Sequence, residues 1–382
     1  MKRSLIVLLV FLLICAFVCG AASALTVDAA SAILMDASTG RILYEQNAHE
    51  QLAPASTTKI LTCLLVLENV DDLSATVTLP ADFQNVGESS IYLEPGETHT
   101  YESLLYALML RSANDAAQAL AIGVAGSEET FVEMMNARTA ELGLQDSHWM
   151  NPHGLDEEGH YSSAYDLAMI SYTASQIPFF NDLVATTSYT LPWENYEYDR
   201  TVYNHNQFLD FYEGADGIKT GFTDASGYCL VGSATRDALS LIGVVLNAAD
   251  NDDHDGHYQA MAKLMDYGFS SYSAKVLGKR GDVVGSVRIS GGKTGSVDVI
   301  LGDDVTLAVA AEGGSYDPQL TYDIPKSLSA PVSADESIGT ATYVDEEGKT
   351  VSVDLFPAES VDRYTFGTVF KLVWQRFFSA LL

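Results

Sequence analysis

One apolar segment constrains the fold of this 382-residue chain more than any other. It reads Lys59-Ile-Leu-Thr-Cys-Leu-Leu-Val-Leu67 and is apolar on nearly every side when it is drawn as a helix. A helix with this pattern is buried all round rather than amphipathic, so the segment predicts the centre of a packed domain. A chain of this length can bury such a core and is long enough for two domains.

Three short motifs follow one another along the chain, and the first lies at the start of this helix. They are Ser56-Thr-Thr-Lys59, Ser112-Ala-Asn114 and Lys219-Thr220-Gly221. Each is weak alone, because a Ser three residues before a Lys can be a helix cap beside a surface lysine. Together they supply a nucleophile, a base, a proton relay and a cation for a carboxylate. These are the groups that a serine acyl-transfer site needs when it uses no histidine.

The first motif is predicted to bring its two functional groups together. Residues three apart face the same way on a helix, so the Lys59 amine is expected to reach the Ser56 hydroxyl. Burial at the helix start, with a second cation such as Lys219 nearby, favours the neutral amine. A neutral lysine can take the serine proton, whereas a charged one cannot. The free backbone N–H groups at the helix start suit the oxyanion of a tetrahedral intermediate.

The second motif, Ser112-Ala-Asn114, is expected at the junction between two helices. Helix capping is the structural alternative, because Ser and Asn are preferred capping residues. Capping and catalysis are compatible, since a capping residue is held rigidly. In the catalytic interpretation, Ser112 passes a proton between Lys59 and the leaving amine, and Asn114 hydrogen-bonds the backbone of the substrate.

The third motif, Lys219-Thr220-Gly221, lies in a strand-turn-strand pattern. Lys219 supplies positive charge there, Thr220 a hydroxyl for a carboxylate, and Gly221 a close approach of the backbone. A peptide could lie along this strand with its acyl carbonyl toward Ser56. The same letters recur at Lys293-Thr294-Gly295, but in the wrong order along the chain and between short strands, so we interpret that copy as a loop without a catalytic role.

With these motifs, the chain resembles the low-molecular-weight penicillin-binding proteins that act as D-alanyl-D-alanine carboxypeptidases. The resemblance rests on Ala55-Ser-Thr-Thr-Lys-Ile60, Ser112-Ala-Asn-Asp-Ala116, Asn151-Pro-His-Gly-Leu155 and Asp216-Gly-Ile-Lys-Thr-Gly-Phe-Thr223. It implies an α/β (α+β) catalytic domain of the transpeptidase and β-lactamase type, with a central antiparallel sheet and a buried helix that bears the serine. A small all-β domain and a C-terminal amphipathic helix are expected to follow.

The resemblance also implies a role for each matching residue. Ser56 is expected to be the acyl-enzyme nucleophile, Lys59 its proton acceptor and Ser112 the relay. The expected substrate-binding residues are Asn114, Lys219, Thr220, Gly221 and Phe222, the last through a backbone N–H that forms an oxyanion hole with that of Ser56. No metal or organic cofactor is implied. The stretch 151–155 is expected to be a structural turn, with a catalytic role for His153 as the less favoured alternative.

Two positions depart from the family's pattern. Ala113 stands where glycine is frequent in the middle motif, a change that need not disturb the flanking side chains. An arginine that helps hold the terminal carboxylate in many relatives is missing, and His257 falls near its place in the acidic stretch 251–258. His257 is therefore a candidate carboxylate ligand with a pH-dependent affinity. A metal site in this stretch is an alternative, over which a solvated loop is favoured.

Charge and cysteine content limit the partners of the chain. It carries 20 basic and 51 acidic residues, a net charge of −31. This excess argues against nucleic acid, because phosphate binding needs clustered cations.

Cys63 and Cys229 lie in apolar segments and are predicted to be buried as small hydrophobic side chains. A disulfide between them stays open as the alternative, since an exported protein permits one.

The flanks predict where the protein works. Residues 1–24 have the pattern of a cleaved signal peptide, with a transmembrane helix as the alternative. The catalytic domain is expected over 25–272 and a domain of short strands over 273–361. Residues 362–382 place apolar and aromatic side chains on one helical face, and three basic side chains lie among them. This amphipathic helix suits a membrane surface, and docking on the β-domain is the alternative.

The sequence therefore predicts a secreted serine carboxypeptidase, anchored at the outer face of the cytoplasmic membrane. Its expected partners are peptidoglycan stem peptides that end in D-Ala-D-Ala, β-lactams that acylate Ser56, and the membrane surface. A β-lactamase would share the three motifs, but the β-domain and the tail argue against it. The motifs would also fit a peptidoglycan endopeptidase with the same site, and the domain organisation would fit a non-catalytic cell-wall-binding scaffold.

Overall fold

The computed structural model describes residues 25–192, 199–311, 316–345, 348, 350–365, 367, 370 and 374. Within them, both helices and strands occur up to Ser271, and the elements from Tyr272 to Pro357 are strands. The predicted signal peptide, 1–24, lies outside the described residues, and so does most of the helix predicted over 362–382. In the part of the chain that is described, no helix is long and apolar enough to cross a membrane.

The first domain contains a short 3-10 turn, Ala55–Thr58, directly before its first helix. Its helices are α1 (Lys59–Asn69), α2 (Tyr101–Leu110), α3 (Asn114–Ala125), α4 (Glu128–Glu141), α5 (Ala164–Ser175), α6 (Pro178–Ala185), α7 (Phe208–Phe211) and α8 (Gly256–Ser271). Its strands are β1 (Ala29–Asp36), β2 (Ile42–Gln46), β3 (Thr76–Thr78), β4 (Thr98–Thr100), β5 (Ser188–Leu191), β6 (Arg200–Tyr203), β7 (Ala215–Thr223), β8 (Gly227–Arg236) and β9 (Leu239–Ala248).

The central sheet has the strand order β2-β1-β9-β8-β7 and is antiparallel throughout. Short turns join β1 to β2 and β7 to β8 to β9, which explains the antiparallel pairing. Gly40, between β1 and β2, has φ +72°, a conformation that favours glycine. Strand β7 lies at one edge of the sheet, so one of its sides faces no other strand in the described part of the chain.

Helix α1 lies at the centre of the main core, as the apolar segment predicted. Every residue from Lys59 to Val66 is buried, and helices α2 to α5 pack around it. The Thr62 hydroxyl also donates to the Pro152 carbonyl at 2.6 Å. Because α1 is covered on all sides, its N-terminus is held in one place. Cys63 and Cys229 are both buried and free, so the predicted burial is confirmed and the disulfide alternative is wrong.

The second domain is built from strands, which confirms the all-β prediction for this part of the chain. They are β10 (Tyr272–Gly278), β11 (Val283–Ser290), β12 (Ser296–Leu301), β13 (Val305–Ala310), β14 (Thr321–Asp323), β15 (Ser327–Ser329), β16 (Gly339–Val344) and β17 (Thr350–Pro357). Six of them form a sheet in the order β14-β16-β17-β12-β11-β15, and β10 pairs with β13. The second Lys-Thr-Gly lies in the loop between β11 and β12, where Lys293 pairs with Asp362 at 2.6 Å.

Candidate active site

The 3-10 turn before α1 brings Ser56 and Lys59 together. Side chains three residues apart nearly eclipse each other in such a turn. The Lys59 Nζ atom lies 3.0 Å from the Ser56 Oγ atom. Lys59 is fully buried, whereas Ser56 is half-buried. The sequence predicted Ser56 in the first turn of the helix, whereas it lies on the 3-10 turn directly before α1. The predicted contact between Ser56 and Lys59 is present.

The Lys59 amine has two further partners inside the protein. Its Nζ atom lies 2.7 Å from Asn114 Oδ1 and 2.5 Å from the His153 carbonyl oxygen. Burial, and after it the nearby Lys219, hold the pKa of Lys59 well below its usual value, against the weaker influence of two carboxylates. The protein therefore orients this amine and favours its neutral form, which is the form that can accept a proton.

Ser112 lies in the break between α2 and α3, where the sequence predicted it. Its φ is +61°, a left-handed conformation that is strained for a residue with a Cβ atom. Its hydroxyl is buried and makes no hydrogen bond to the described residues. A buried hydroxyl without a partner costs stability, and such positions concentrate at functional sites. The hydroxyl is thus available to a substrate or to a proton in transit.

Asn114 begins α3 and connects Lys59 to a neighbouring loop. Its Oδ1 atom accepts from Lys59, while its Nδ2 atom donates to the Gly87 carbonyl at 3.0 Å. The Asn114 backbone N–H donates to the Ser89 carbonyl at 2.7 Å. The sequence predicted a substrate contact for this side chain. The structure shows a further role for Asn114, because its Oδ1 atom accepts a hydrogen bond from the Lys59 amine and so orients that amine.

Lys219 is buried on strand β7 and lies close enough to Lys59 to influence its pKa. Its Nζ atom donates to the Thr220 carbonyl at 2.9 Å. Burial lowers the pKa of Lys219 to about 7. An anion bound beside this amine would stabilise its charged form and raise the pKa again. Lys219 therefore suits a site that binds a carboxylate.

Gly221 allows strand β7 to lie against the turn that bears Ser56. A Cβ atom on Gly221 would come within 3.0 Å of the Ser56 backbone nitrogen and 3.2 Å of the Pro54 carbonyl oxygen. Real Cβ atoms rarely have such close contacts, so glycine is needed here. The close approach that the sequence predicted for Gly221 is present in the structure, and it brings the backbone of β7 next to the nucleophile.

A cavity of about 540 Å³ opens onto Ser56. The predicted site residues that line it are Ser56, Ser112, Thr220, Gly221, Phe222 and His257. Lys59, Asn114 and Lys219 are buried behind this lining. The structure therefore brings together all the site residues that the sequence predicted, from four separate parts of the first domain.

His257 lies in the first turn of α8, which begins inside the stretch 251–258 that was predicted to be a solvated loop. The side chain is 5% exposed, and its ring stacks on that of Tyr228 with centroids 5.0 Å apart. Burial lowers the pKa of His257 to about 4. Among the described residues, no group of three or more His, Cys, Asp or Glu side chains could hold a metal ion.

The stretch 151–155 forms a turn that packs against the turn bearing Ser56. Asn151 Oδ1 accepts from the Gly154 N–H at 2.7 Å. Gly154 has φ +89°, and a Cβ atom there would come within 1.9 Å of the Ala55 carbonyl oxygen. The His153 ring is neutral, because burial lowers its pKa to about 3. His153 contacts the Lys59 amine with its backbone carbonyl and not with its ring. The side chains of the motif could not predict this contact.

Comparison with known protein families agrees with this geometry. The profile described as D-alanyl-D-alanine carboxypeptidase matches residues 19–250. The chain belongs to this family. The profile of the penicillin-binding protein 5 C-terminal domain matches residues 272–363 of the carboxypeptidase. The predicted fold class of the two domains and the predicted activity, that of a serine-type D-Ala-D-Ala carboxypeptidase, are confirmed, whereas the C-terminal amphipathic helix stays a prediction.

Individual relatives of the carboxypeptidase cover most of its length. D-alanyl-D-alanine carboxypeptidase DacF of Bacillus subtilis is 34% identical over 89% of this chain and 90% of its own. DacD of Escherichia coli is 34% identical over 88% of this chain and 87% of its own. The crystal structure of a peptidoglycan synthesis regulatory factor, PBP3, from Streptococcus pneumoniae has a TM-score of 0.71 and 29% identity; the match covers 88% of this chain and 100% of that one.

Asp115 supports the carboxypeptidase site in a way that the sequence did not reveal. The side chain is fully buried at the start of α3. Its carboxylate accepts from the Ser90 hydroxyl at 2.6 Å and from the Leu93 N–H at 2.9 Å. These bonds hold the loop 85–93, from which Glu88 lines the cavity. The sequence signal for this role was a charged residue directly after the second motif, at the start of a helix whose other residues are mostly apolar.

Proposed function

We propose that this carboxypeptidase removes the terminal D-alanine from peptidoglycan stem pentapeptides through an acyl-enzyme on Ser56. The contact of 3.0 Å between Ser56 and the buried Lys59 amine carries the proposal. Lys59 takes the hydroxyl proton as Ser56 attacks the carbonyl between the two D-alanines. The proton passes through Ser112 to the departing amine. Water then attacks the acyl-enzyme, releases the shortened peptide and restores Ser56, so that each turnover removes one donor for crosslinking.

The substrate is proposed to lie along strand β7. The open side of this edge strand can pair with an extended peptide. Gly221 supports this placement, because it lets the strand approach the nucleophile. The backbone N–H groups of Ser56 and Phe222 would bind the developing oxyanion. Thr220 and Lys219 would meet the terminal carboxylate, and Asn114 would contact the peptide backbone. No metal or organic cofactor takes part in this scheme.

The same site is proposed to react with β-lactams. A β-lactam presents a strained amide and a carboxylate in an arrangement similar to that of D-Ala-D-Ala. Ser56 would open the lactam ring and form an acyl-enzyme, with Lys59 as the base and Lys219 near the carboxylate. Slow hydrolysis of this adduct would make the drug an inhibitor, whereas rapid hydrolysis would make the protein a β-lactamase.

Release of D-alanine from a defined pentapeptide tests the proposed reaction. We expect the purified protein to release one D-alanine per peptide and to form a fluorescent-penicillin adduct on Ser56, located by mass spectrometry. Ser56→Ala should abolish both, while Ser290→Ala, an exposed serine of the β-domain, should change neither. A protein that forms no adduct and releases no D-alanine would be a scaffold. Faster cleavage of crosslinked dimers than of pentapeptides would make it an endopeptidase.

We further propose that the protein is exported and held at the outer face of the cytoplasmic membrane. The pattern of residues 1–24 and the basic amphipathic pattern of 362–382 support this location. Phe370 and Trp374 are helical and 56% and 55% exposed. Fractionation of cells tests the proposal. Replacement of both aromatics by Ser should move the protein from the membrane to the soluble fraction, and Tyr322→Ser, at an exposed aromatic of the β-domain, should leave it in place.

A further inference from the structure

Two exposed carboxylates line the cavity that opens onto Ser56, and the acyl-transfer scheme uses neither of them. They belong to Glu88 and Asp253, which we call the acidic rim. In the part of the chain that the structure describes, no lysine or arginine lines this cavity, and Lys219 is buried behind it. A lining of this kind attracts cationic groups and repels anionic ones.

Glu88 is fixed at the cavity by the residue that also orients the base. The carbonyls on either side of it accept from Asn114, that of Gly87 from Nδ2 at 3.0 Å and that of Ser89 from the backbone N–H at 2.7 Å. Glu88 itself has φ +58°, a strained conformation for a residue with a Cβ atom. Its charge is close enough to raise the pKa of Lys59, against the stronger effect of burial. Glu88 therefore has a defined place near the reacting atoms.

Asp253 reaches the cavity from the loop between β9 and α8. The histidine that follows it, His254, pairs with Asp250, with 3.0 Å between Nδ1 and Oδ1. Neither the Asp253 carboxylate nor that of Glu88 forms a hydrogen bond or a salt bridge with another described residue. Both members of the acidic rim are therefore available to a ligand.

Two further histidines of the cavity do not offset the charge of the acidic rim. His205 lies between β6 and α7, and His257 lies at the start of α8. Burial is the main cause that lowers the pKa of each ring to about 4. Both rings are therefore neutral at pH 6 and above.

The Ser112 hydroxyl indicates independently that this cavity takes a ligand. Ser112 lines the cavity, although only 6% of the residue is exposed. Its hydroxyl has no hydrogen-bond partner among the described residues. A buried polar group without a partner is costly, so its partner is expected to arrive with the ligand. The acidic rim thus belongs to a cavity that is built to be filled.

We propose that Glu88 and Asp253 select substrates whose acyl part carries a primary ammonium group, as a stem peptide with a free diamino acid side chain does. This inference rests on the proposed carboxypeptidase function and defines which stem peptides the enzyme prefers. An ammonium group can donate to both carboxylates, whereas an anionic acyl part is repelled by them. A crosslink through the side chain turns this ammonium into a neutral amide. The acidic rim would therefore favour strands that have not yet accepted a crosslink.

Two tripeptides that differ by one charge test the acidic rim. They are Nα-acetyl-L-Lys-D-Ala-D-Ala, which keeps the side-chain ammonium, and its Nα,Nε-diacetyl derivative, which lacks it. We expect kcat/KM for D-alanine release to be about fivefold higher for the first peptide at about 0.05 M salt, and nearly equal for both at about 1 M. Glu88→Gln combined with Asp253→Asn should bring the ratio close to one. Glu336→Gln, at an exposed carboxylate of the β-domain, is the matched control for net charge and should keep it.

Three penicillins provide a test that does not need peptide hydrolysis. Ampicillin and carbenicillin add an ammonium and a carboxylate, respectively, to the same carbon of the benzylpenicillin side chain. At pH 6, we expect acylation of the wild-type protein by ampicillin to be about threefold faster than by benzylpenicillin, and acylation by carbenicillin about threefold slower. Glu88→Lys should reverse the order of ampicillin and carbenicillin. A merely structural effect of this variant would change all three rates by the same factor.

The outcomes separate the acidic rim from the proposed function. Ratios below twofold in the wild-type protein, while D-alanine release continues, would overturn the acidic rim and leave the function intact. A ratio that persists in the double variant would overturn it too, because other groups would then select the ammonium. If the wild-type protein released no D-alanine, the proposed function would fail, and the order of the three penicillins would still decide on the acidic rim.

Discussion

The buried amine of Lys59 lies 3.0 Å from the hydroxyl oxygen of Ser56, and three parts of the fold hold it there. The 3-10 turn supplies the serine, the junction between α2 and α3 supplies Asn114, and the turn 151–155 supplies the His153 carbonyl. The base is therefore oriented before any substrate arrives. Such preorganisation lowers the barrier, because little rearrangement is needed during the reaction.

Lys59→Arg should slow acylation strongly although it keeps the positive charge. A guanidinium stays protonated at every accessible pH and cannot accept the serine proton. We expect the second-order rate of acylation by fluorescent penicillin to fall about 10²- to 10⁴-fold. Lys263→Arg, on the exposed face of α8, is the matched control and should keep the wild-type rate. Retention of more than a tenth of the rate in Lys59→Arg would show that another group is the base.

Gly221→Ala tests the approach of β7 to the nucleophile. The added methyl group would lie 3.0 Å from the Ser56 backbone nitrogen and must push the strand or the turn aside. We expect kcat/KM for D-alanine release to fall about 10- to 100-fold. The second Lys-Thr-Gly offers a matched control, because a Cβ atom at Gly295 meets nothing within 4 Å. Equal activity of Gly221→Ala and Gly295→Ala would contradict the close approach.

Gly154→Ala tests the turn that meets Lys59 through a backbone carbonyl. Its methyl group would come within 1.9 Å of the Ala55 carbonyl oxygen, so the two turns must separate. We expect a loss of activity together with a marked drop in melting temperature. Gly159→Ala is the control, since Gly159 has the same φ of +89° but only ordinary contacts. Similar melting temperatures for the two variants would mean that the effect comes from backbone strain alone.

The order of the motifs made much of the site predictable. The apolar pattern of α1 required burial, and a Ser and a Lys three residues apart at its start had to face one another. The turn residues after Thr223 separated two strand patterns and thereby placed Lys219 on a strand. These inferences need only local periodicity and residue types, both of which a sequence contains.

The rest of the site depends on contacts between distant segments. The His153 carbonyl is invisible to motif reasoning, because every residue has a carbonyl group. Arg111 and His205 meet although 94 residues separate them along the chain. Asp115 organises a loop that precedes it in the sequence by more than 20 residues. No local pattern encodes such pairings, so they emerged only when the fold was known.

The pH dependence of kcat/KM should have two limbs. Below its lowered pKa, Lys59 is protonated and cannot act as a base, so the rate falls as the pH falls. Lys219 loses its charge above a pKa of about 7, so the carboxylate is bound less well and kcat/KM falls as the pH rises. The profile of D-alanine release between pH 5 and 9.5 measures both. Lys219→Arg should remove the alkaline limb, and an unchanged limb in this variant would assign it to another group.

Ser112→Gly should make the protein more stable and less active. Glycine adopts the φ of +61° found at Ser112 without the penalty of a Cβ atom, and the change also removes a buried hydroxyl that has no partner among the described residues. We expect a gain of about 1 kcal/mol in the free energy of unfolding and a loss of kcat/KM of about 10²-fold. Ser112→Ala keeps the strain and should lose activity without the full gain in stability. If Ser112→Gly released D-alanine at the wild-type rate, its hydroxyl would have no part in proton transfer.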